Sequence, residues 1–183
     1  DTYYGNDCSG FASISWKLPA RYTTSLFESD LGGSYFYALG EPGDGQYVSL
    51  LQGDALNDDY NHIILFNRYV TGGIESMEQT PSTARRRLWT WTQLSTYRPI
   101  RRSLVEDGFK IGDRVQTSYN LNVRTCPSTN STNCPVITVE PIGAKGTIID
   151  GPQNADKYRW WKISYDDGIT GWSVEGYLQK ISP

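Results

Sequence analysis

A cysteine near the start of the chain occupies a position where a helix dipole would activate it. Cys8 follows Asp7 and precedes Ser9, Gly10 and apolar residues that recur at spacings of three and four through Leu18. This period is typical of an amphipathic helix, with Asp7 as its N-cap and Cys8 as its first residue. A thiol there lies over unpaired backbone N–H groups, which stabilise the thiolate and lower its pKa. The pattern therefore predicts a nucleophilic sulfur.

A nucleophilic thiol needs a base, and the chain holds one histidine, His62. His62 opens the apolar run 62–66, which predicts a buried strand with the base at its end. The Gly72-Gly73 pair predicts a hairpin turn, and the run 74–79 predicts the strand that follows it. Strand pairing would bring Glu75 or Glu78 beside the imidazole to orient it. Because side chains alternate between the faces of a strand, only one of these glutamates can serve, and the sequence leaves open which.

The order and wording of these segments resemble the NlpC-type cysteine peptidases, a papain-like family that cleaves peptidoglycan stem peptides. The matching segments are 7–11 for the nucleophile helix, 53–62 for the base strand and 74–75 for the third position. The resemblance implies that the Cys8 thiolate attacks an amide and that His62 acts as general base and then as general acid. It also implies a backbone oxyanion site near Cys8.

The same resemblance assigns residues to substrate binding. In the family, the two residues that flank the nucleophile and an upstream tyrosine hold the free amine of the substrate peptide. These roles fall on Asp7 and Ser9, together with Tyr4 or its neighbour Tyr3. The third catalytic position is often a histidine in the family, and here one of the two glutamates takes it, as a glutamate does in the related CHAP amidases.

The second part of the chain has a different character. After the polar segment 103–108, short strand-like segments alternate with turns rich in Gly, Asp, Asn and Pro, which is typical of a small barrel. The predicted strands are Arg114–Thr117, Leu121–Arg124, 136–139, 146–149, 160–165 and 171–174, with a hairpin signal at Asp166-Asp167-Gly168. Their wording resembles a bacterial Src-homology-3-like domain, which implies binding to cell-wall peptide.

These resemblances give the predicted organisation. The fold class is α+β, with a papain-like NlpC-type catalytic domain at residues 1–103 and a small all-β Src-homology-3-like barrel at 104–183. Within the first domain, residues 19–48 are predicted to form loops, and the arginine run 85–87 to form a solvated edge. The segment 98–102 predicts a closing edge strand, because a proline such as Pro99 fits a sheet edge better than an interior.

Composition restricts the class of protein. The 38% hydrophobic and 13% aromatic content disfavours disorder, and no apolar run approaches the roughly 20 residues of a membrane span. Basic and acidic residues number 17 and 20 and are spread over both parts, so the charge disfavours nucleic acid as a partner. With one histidine and no cysteine pair at a familiar zinc-ligand spacing, a four-ligand zinc site is disfavoured, and no cofactor is expected.

The three cysteines divide into two kinds. Cys126 and Cys134 bracket a polar loop, and their closeness predicts a disulfide and an oxidising, extracytoplasmic location. The alternative is two free loop thiols in a cytosolic protein. Cys8 is not part of this predicted disulfide, as expected for a catalytic thiol.

The leading hypothesis is a secreted cysteine endopeptidase that acts on peptidoglycan stem peptides at the bond between D-glutamate and the diamino acid. An N-acetylmuramoyl-L-alanine amidase would use the same cysteine chemistry on a different amide. A third possibility is a wall-binding or host-interaction protein without turnover, in which Cys8 is a buried small hydrophobe and His62 a core histidine.

Overall fold

Strands dominate the architecture of the chain. The computed structural model describes residues 6–103 and 108–181, of which 44% lie in strands and 12% in helices. The α-helices in these two ranges are α1 (Cys8–Ser15) and α2 (Thr24–Ser29), and 3-10 turns cover Asp44–Gln46 and Glu175–Tyr177. The strands in chain order are β1 (Phe36–Ala38), β2 (Ala55–Asp58), β3 (His62–Val70), β4 (Gly73–Gln79), β5 (Ala84–Thr90), β6 (Arg98–Arg102), β7 (Arg114–Thr117), β8 (Leu121–Arg124), β9 (Val136–Glu140), β10 (Lys145–Ala155), β11 (Tyr158–Tyr165), β12 (Thr170–Val174) and β13 (Leu178–Lys180).

Hydrogen bonds join these strands into one mixed sheet. Its order is β13-β7-β10-β11-β1-β6-β2-β3-β4-β5, with β12 pairing β11 and β8, and with β9 pairing β8. The two parts of the chain meet where β1 runs parallel to β11, with Ala38 opposite Tyr158. The other side of β1 pairs antiparallel with β6. Strand β1 therefore has neighbours from both parts of the chain.

The predicted fold class, an α+β papain-like domain of the NlpC type plus a small all-β barrel, is wrong. The described chain is mostly β, its α-helices have eight and six residues, and its strands form one large mixed sheet. The segment 19–48 supplies α2 and β1 where loops were predicted, and β1 is the strand that joins the two parts. A strand of three residues is too short to show an alternating pattern, which is why the sequence did not reveal this junction.

The start of α1 is confirmed, and its predicted end is wrong. Asp7 is the N-cap, and its side chain accepts a hydrogen bond of 2.7 Å from the backbone N–H of Gly10. The helix ends at Ser15 instead of continuing to Leu18, because Lys17 adopts a left-handed φ of +50° that no α-helix can include. Ile14, predicted to face the core, is 56% exposed, and the buried face carries small residues instead.

Both ends of α1 are held by distant side chains. Beyond its C-terminal end, Trp16 donates its indole N–H to the carbonyl of Gly53 at 2.8 Å and accepts a bond of 2.8 Å from Arg102 on its own carbonyl. Near its N-terminal end, Arg21 forms an ion pair with Asp7. The helix also packs on β3. These contacts fix where the first helical residue points.

The strands that carry the predicted base and its partner follow the expected hairpin. The β3–β4 turn contains Gly72 at a φ of +77°, which favours glycine. A Cβ at Gly73 would lie 1.8 Å from the carbonyl oxygen of Trp89, so β5 can approach β4 only because this residue is glycine. The arginine run lies on β5, which forms the end of the sheet path, as predicted.

The prediction that segment 98–102 forms a sheet edge is wrong. Strand β6 lies between β1 and β2, with Pro99 opposite Leu56. The carbonyl of Pro99 accepts a hydrogen bond of 2.9 Å from Leu39, so the residue still contributes an acceptor although proline has no N–H.

A buried ionic cluster connects the two parts of the chain. Arg101 on β6 bonds to Asp54 at 2.7 Å and to Glu175 at 3.2 Å, and all three are buried. Glu175 also accepts from Tyr37 at 2.6 Å and from the indole of Trp161 at 2.8 Å. The predicted boundary between residues 103 and 104 adjoins residues outside the described ranges, and the division into domains stays a prediction.

Candidate active site

The structure places Cys8 and His62 in contact. The Cys8 sulfur, at the first position of α1, lies close enough to the imidazole of His62 and to the backbone N–H of Ile63 for both to stabilise its negative charge. Burial alone would raise the pKa of the Cys8 thiol. The bonds from His62 and Ile63 and the charge of the imidazolium outweigh burial, so the pKa of Cys8 lies below its ordinary value. These contacts therefore stabilise the thiolate form of Cys8 relative to the thiol.

His62 lies at the first position of β3, between the Cys8 thiol and the Glu78 carboxylate. Its Nε2 lies 2.9 Å from Oε2 of Glu78, and the ring also interacts with the Cys8 sulfur. Burial lowers the pKa of His62, but hydrogen bonds to Cys8 and Glu78 outweigh it and raise the pKa above its ordinary value. Because the thiol pKa falls while the imidazole pKa rises, the two groups favour a thiolate–imidazolium pair.

Of the two glutamates, the structure brings Glu78 to His62. The Glu78 side chain is 0% exposed, and its second oxygen accepts a bond of 2.6 Å from Arg85 on β5. Burial raises the pKa of Glu78, and the bonds from His62 and Arg85 outweigh it, so this pKa is lowered and the group stays ionised. Glu75 points to the other face of β4, where it bonds to Asn67 at 2.6 Å and to Arg68 at 3.0 Å.

The predicted substrate-binding residues are engaged in contacts of their own. Asp7 is paired with Arg21 and also accepts the hydroxyl of Ser9 at 3.2 Å. Ser9 is 5% exposed, and its carbonyl accepts from Ser13 at 2.7 Å. Tyr4, with its neighbour Tyr3, lies outside the described residues.

An open groove of about 520 Å³ adjoins His62 and includes residues that sequence reasoning missed. Tyr97 and Trp89 line it, and their rings lie 5.5 Å apart. Burial, reinforced by the charges of Asp58 and Glu78, raises the pKa of Tyr97 to about 12, so its hydroxyl stays protonated. A larger cavity of about 600 Å³ near Arg101 includes neither Cys8 nor His62, so volume alone does not locate the site.

The remaining sequence-predicted residues lie away from this groove. Cys126 and Cys134 are joined by a disulfide in the second part of the chain, and Cys8 is a free thiol. In the part of the chain that the structure describes, no three His, Cys, Asp or Glu side chains are grouped so that they could hold a metal ion. None of the described helices is long and apolar enough to cross a membrane.

Comparisons with known proteins add little to this geometry. No family model and no curated protein matches the chain. Among solved structures, the chain is similar to a crystal structure of Ly7917 and to one of Ly7917 with the hydrolyzing product of MDP, at 13% and 12% sequence identity. Each alignment covers 72% of this chain and 63% of the other, with a TM-score of 0.26. At that score the likeness carries no argument about fold or activity.

The chemistry of the site follows from its own residues. A buried carboxylate, an imidazole and a thiol follow one another in a series that ends at the N-terminus of a helix. The carboxylate fixes the orientation of the ring, and the ring carries the proton that the thiol has lost. Such an arrangement can attack an electrophilic carbonyl carbon and then protonate the group that leaves.

Proposed function

We propose that the protein is a cysteine hydrolase that cleaves an amide in peptidoglycan stem peptides. Cys8 is the nucleophile, His62 the general base and acid, and Glu78 the residue that orients the imidazole. The observation that supports this most strongly is that Glu78 contacts His62 at 2.9 Å while His62 in turn stabilises the charge of the Cys8 sulfur.

The reaction proceeds in two steps. The Cys8 thiolate attacks the amide carbon, and the carbonyl oxygen becomes an oxyanion. The backbone N–H of Cys8, in the first helical turn where N–H groups lack intrahelical acceptors, donates to that oxyanion. The His62 imidazolium gives its proton to the nitrogen, the C–N bond breaks, and the acyl group remains on sulfur as a thioester. Water then attacks the thioester, His62 takes its proton, and the thiolate leaves.

The substrate assignment rests on the resemblance of segments 7–11, 53–62 and 74–75 to the NlpC-type peptidases. It names the bond between D-glutamate and the diamino acid. In the same proposal, residues 104–183 hold the enzyme on the cell wall, and the protein acts outside the cytoplasm, which agrees with the disulfide between Cys126 and Cys134.

The test is hydrolysis of purified peptidoglycan followed by mass spectrometry of the soluble products. The wild-type protein should release fragments cut within the stem peptide, and Cys8→Ala should release none. Release of whole stem peptides from the sugar would instead identify an N-acetylmuramoyl-L-alanine amidase. Full lysis by Cys8→Ala would show that this cysteine is not the nucleophile.

Thiol labelling supplies a second test that does not depend on the substrate. Iodoacetamide should modify Cys8 at pH 7 faster than it modifies a free cysteine, because the thiolate is stabilised by His62. The His62→Ala variant should react more slowly at the same pH. A slow reaction in both proteins would identify Cys8 as an inert thiol and favour a binding protein without turnover.

A further inference from the structure

The guanidinium of Arg87 is positioned by an aromatic ring and has no anionic partner among the described residues. Its guanidinium carbon lies 3.8 Å from the centroid of the Trp89 ring, which supports it from one side. In residues 6–103 and 108–181, Arg87 forms no ion pair with a carboxylate. A planar guanidinium that is stacked on a ring and has no carboxylate keeps its fork of N–H donors for a ligand.

The neighbouring arginines make different contacts. Arg85 is paired with Glu78 at 2.6 Å and belongs to the catalytic series. Arg86 lies one residue from Arg87 on β5, so its side chain points to the opposite face of the sheet, and it is exposed. Of the arginine run, only Arg87 therefore brings an unpaired charge to the groove beside His62.

The groove lies beside His62, the proton donor of the proposed reaction. His62 delivers its proton to the leaving nitrogen, so the residue that carries this nitrogen has to lie within hydrogen-bond distance of the imidazole. The groove that His62 shares with Arg87, Trp89 and Tyr97 adjoins the ring and is open to solvent. A leaving residue seated there would place its far end between the groove walls.

The groove also contains a negative group. Asp58, opposite His62 in the β2–β3 ladder, lines the groove and accepts a hydrogen bond of 2.7 Å from Asn61. The charges of Asp58 and Arg87 act in opposite directions on the pKa of Tyr97, the first raising it and the second lowering it, so both lie near the Tyr97 ring. A ligand with one carboxylate and one ammonium group matches this pair of charges.

We propose that Arg87 binds the free carboxylate at the far end of a diamino dicarboxylic acid, the residue that carries the leaving amine, while Asp58 faces its ammonium group. This inference rests on the proposed function. It assigns to Arg87 the choice between leaving residues that have a terminal carboxylate and those in which this group is an amide or is missing.

The first experiment compares two tetrapeptide substrates that differ only in whether the far-end carboxylate of the diamino acid is free or amidated. A charge-assisted, bidentate contact predicts that the wild-type kcat/KM is about ten- to a hundredfold higher for the free carboxylate. Arg87→Gln should abolish this preference. Arg86→Gln, the matched control on the other face of the same strand, should retain it. Equal rates of the wild type on both peptides, or equal effects of the two substitutions, would overturn the proposal.

A second experiment separates this proposal from the proposed function. Binding of the same two tetrapeptides to Cys8→Ala, measured by isothermal titration calorimetry, does not require turnover. Tighter binding of the carboxylate form by about tenfold or more, lost on adding Arg87→Gln, would support the subsite even if the wild type hydrolysed neither peptide. Equal binding of the two peptides, or none, would refute the subsite even if hydrolysis occurred.

Discussion

The two glutamates of β4 allow a matched test of the contact between Glu78 and His62. Glu78→Gln replaces the carboxylate that contacts His62 with a neutral amide of the same shape, whereas Glu75→Gln makes the same change on the opposite face. The pKa of His62 is raised in part by the bond to Glu78, so it should fall in the first variant and stay unchanged in the second.

The magnitude follows from the contact. A hydrogen bond between charged groups stabilises by about 1.5–3 kcal/mol, and about 1.4 kcal/mol corresponds to a factor of ten in proton affinity. Since Glu78 is fully buried and His62 is only 19% exposed, solvent screening is small here. We therefore expect Glu78→Gln to weaken the proton affinity of the imidazole by about ten- to a hundredfold.

The assay is an NMR titration of the imidazole C–H resonances, which come from a single residue because the chain holds one histidine. The proposed activity should show the same change: it would require the Cys8 thiolate and the His62 imidazolium, so it should rise through the lowered pKa of the first and fall through the raised pKa of the second. In Glu78→Gln the alkaline limb should move to lower pH. Arg85→Gln, which keeps the carboxylate, separates loss of the charge from loss of the ion pair.

An equal shift of the imidazole titration in Glu75→Gln and in Glu78→Gln would contradict a specific effect of Glu78 on the pKa of His62. A wild-type titration in Glu78→Gln, in a protein that circular dichroism shows to be folded, would contradict it as well. Either result would mean that the carboxylate seen beside His62 does not control its protonation.

Two further predictions concern stability and are measured by urea unfolding. Arg101→Ala should lower the free energy of unfolding by about 3–5 kcal/mol, because it leaves the carboxylates of Asp54 and Glu175 buried without their cation; a loss below about 1 kcal/mol would mean that solvent reaches these groups. Replacing Cys126 and Cys134 by serine should lower the free energy of unfolding by about 2–3 kcal/mol for a crosslink of sequence separation 8, with the thiol reactivity of Cys8 unchanged, and an unchanged urea midpoint would contradict this.

Cys8 and His62 could be found from sequence because each has a strong local signal. A capping aspartate before Cys8 and a single histidine at the start of an apolar run are visible without any knowledge of the fold. The choice of Glu78 also had a signal, which is distance from the hairpin turn. Glu75 pairs with Arg68 close to the turn. His62 lies six residues before Arg68, at the start of β3, so it can be reached only from the end of β4 that is far from the turn.

The fold was harder to predict because it depends on which strands become neighbours. The bounds of β7 and β8 agree with the sequence at both ends, since alternation and turn residues define single strands. Their assembly into one sheet depends on β1, which has three residues, and on β6, where Pro99 argued for an edge. The role of Arg87 likewise depends on its register opposite Ser76, which no local pattern reveals.

The position of β1 has a consequence for anyone who dissects the protein. A fragment that stops at residue 103 would lose β11, and Ala38 of β1 would lose its backbone partners on the second part of the chain. It would also lose Tyr158, Trp160 and Trp172 from the core on which α1 rests. Swapping the C-terminal portion for another module would therefore require replacing β11 and these aromatic side chains as well.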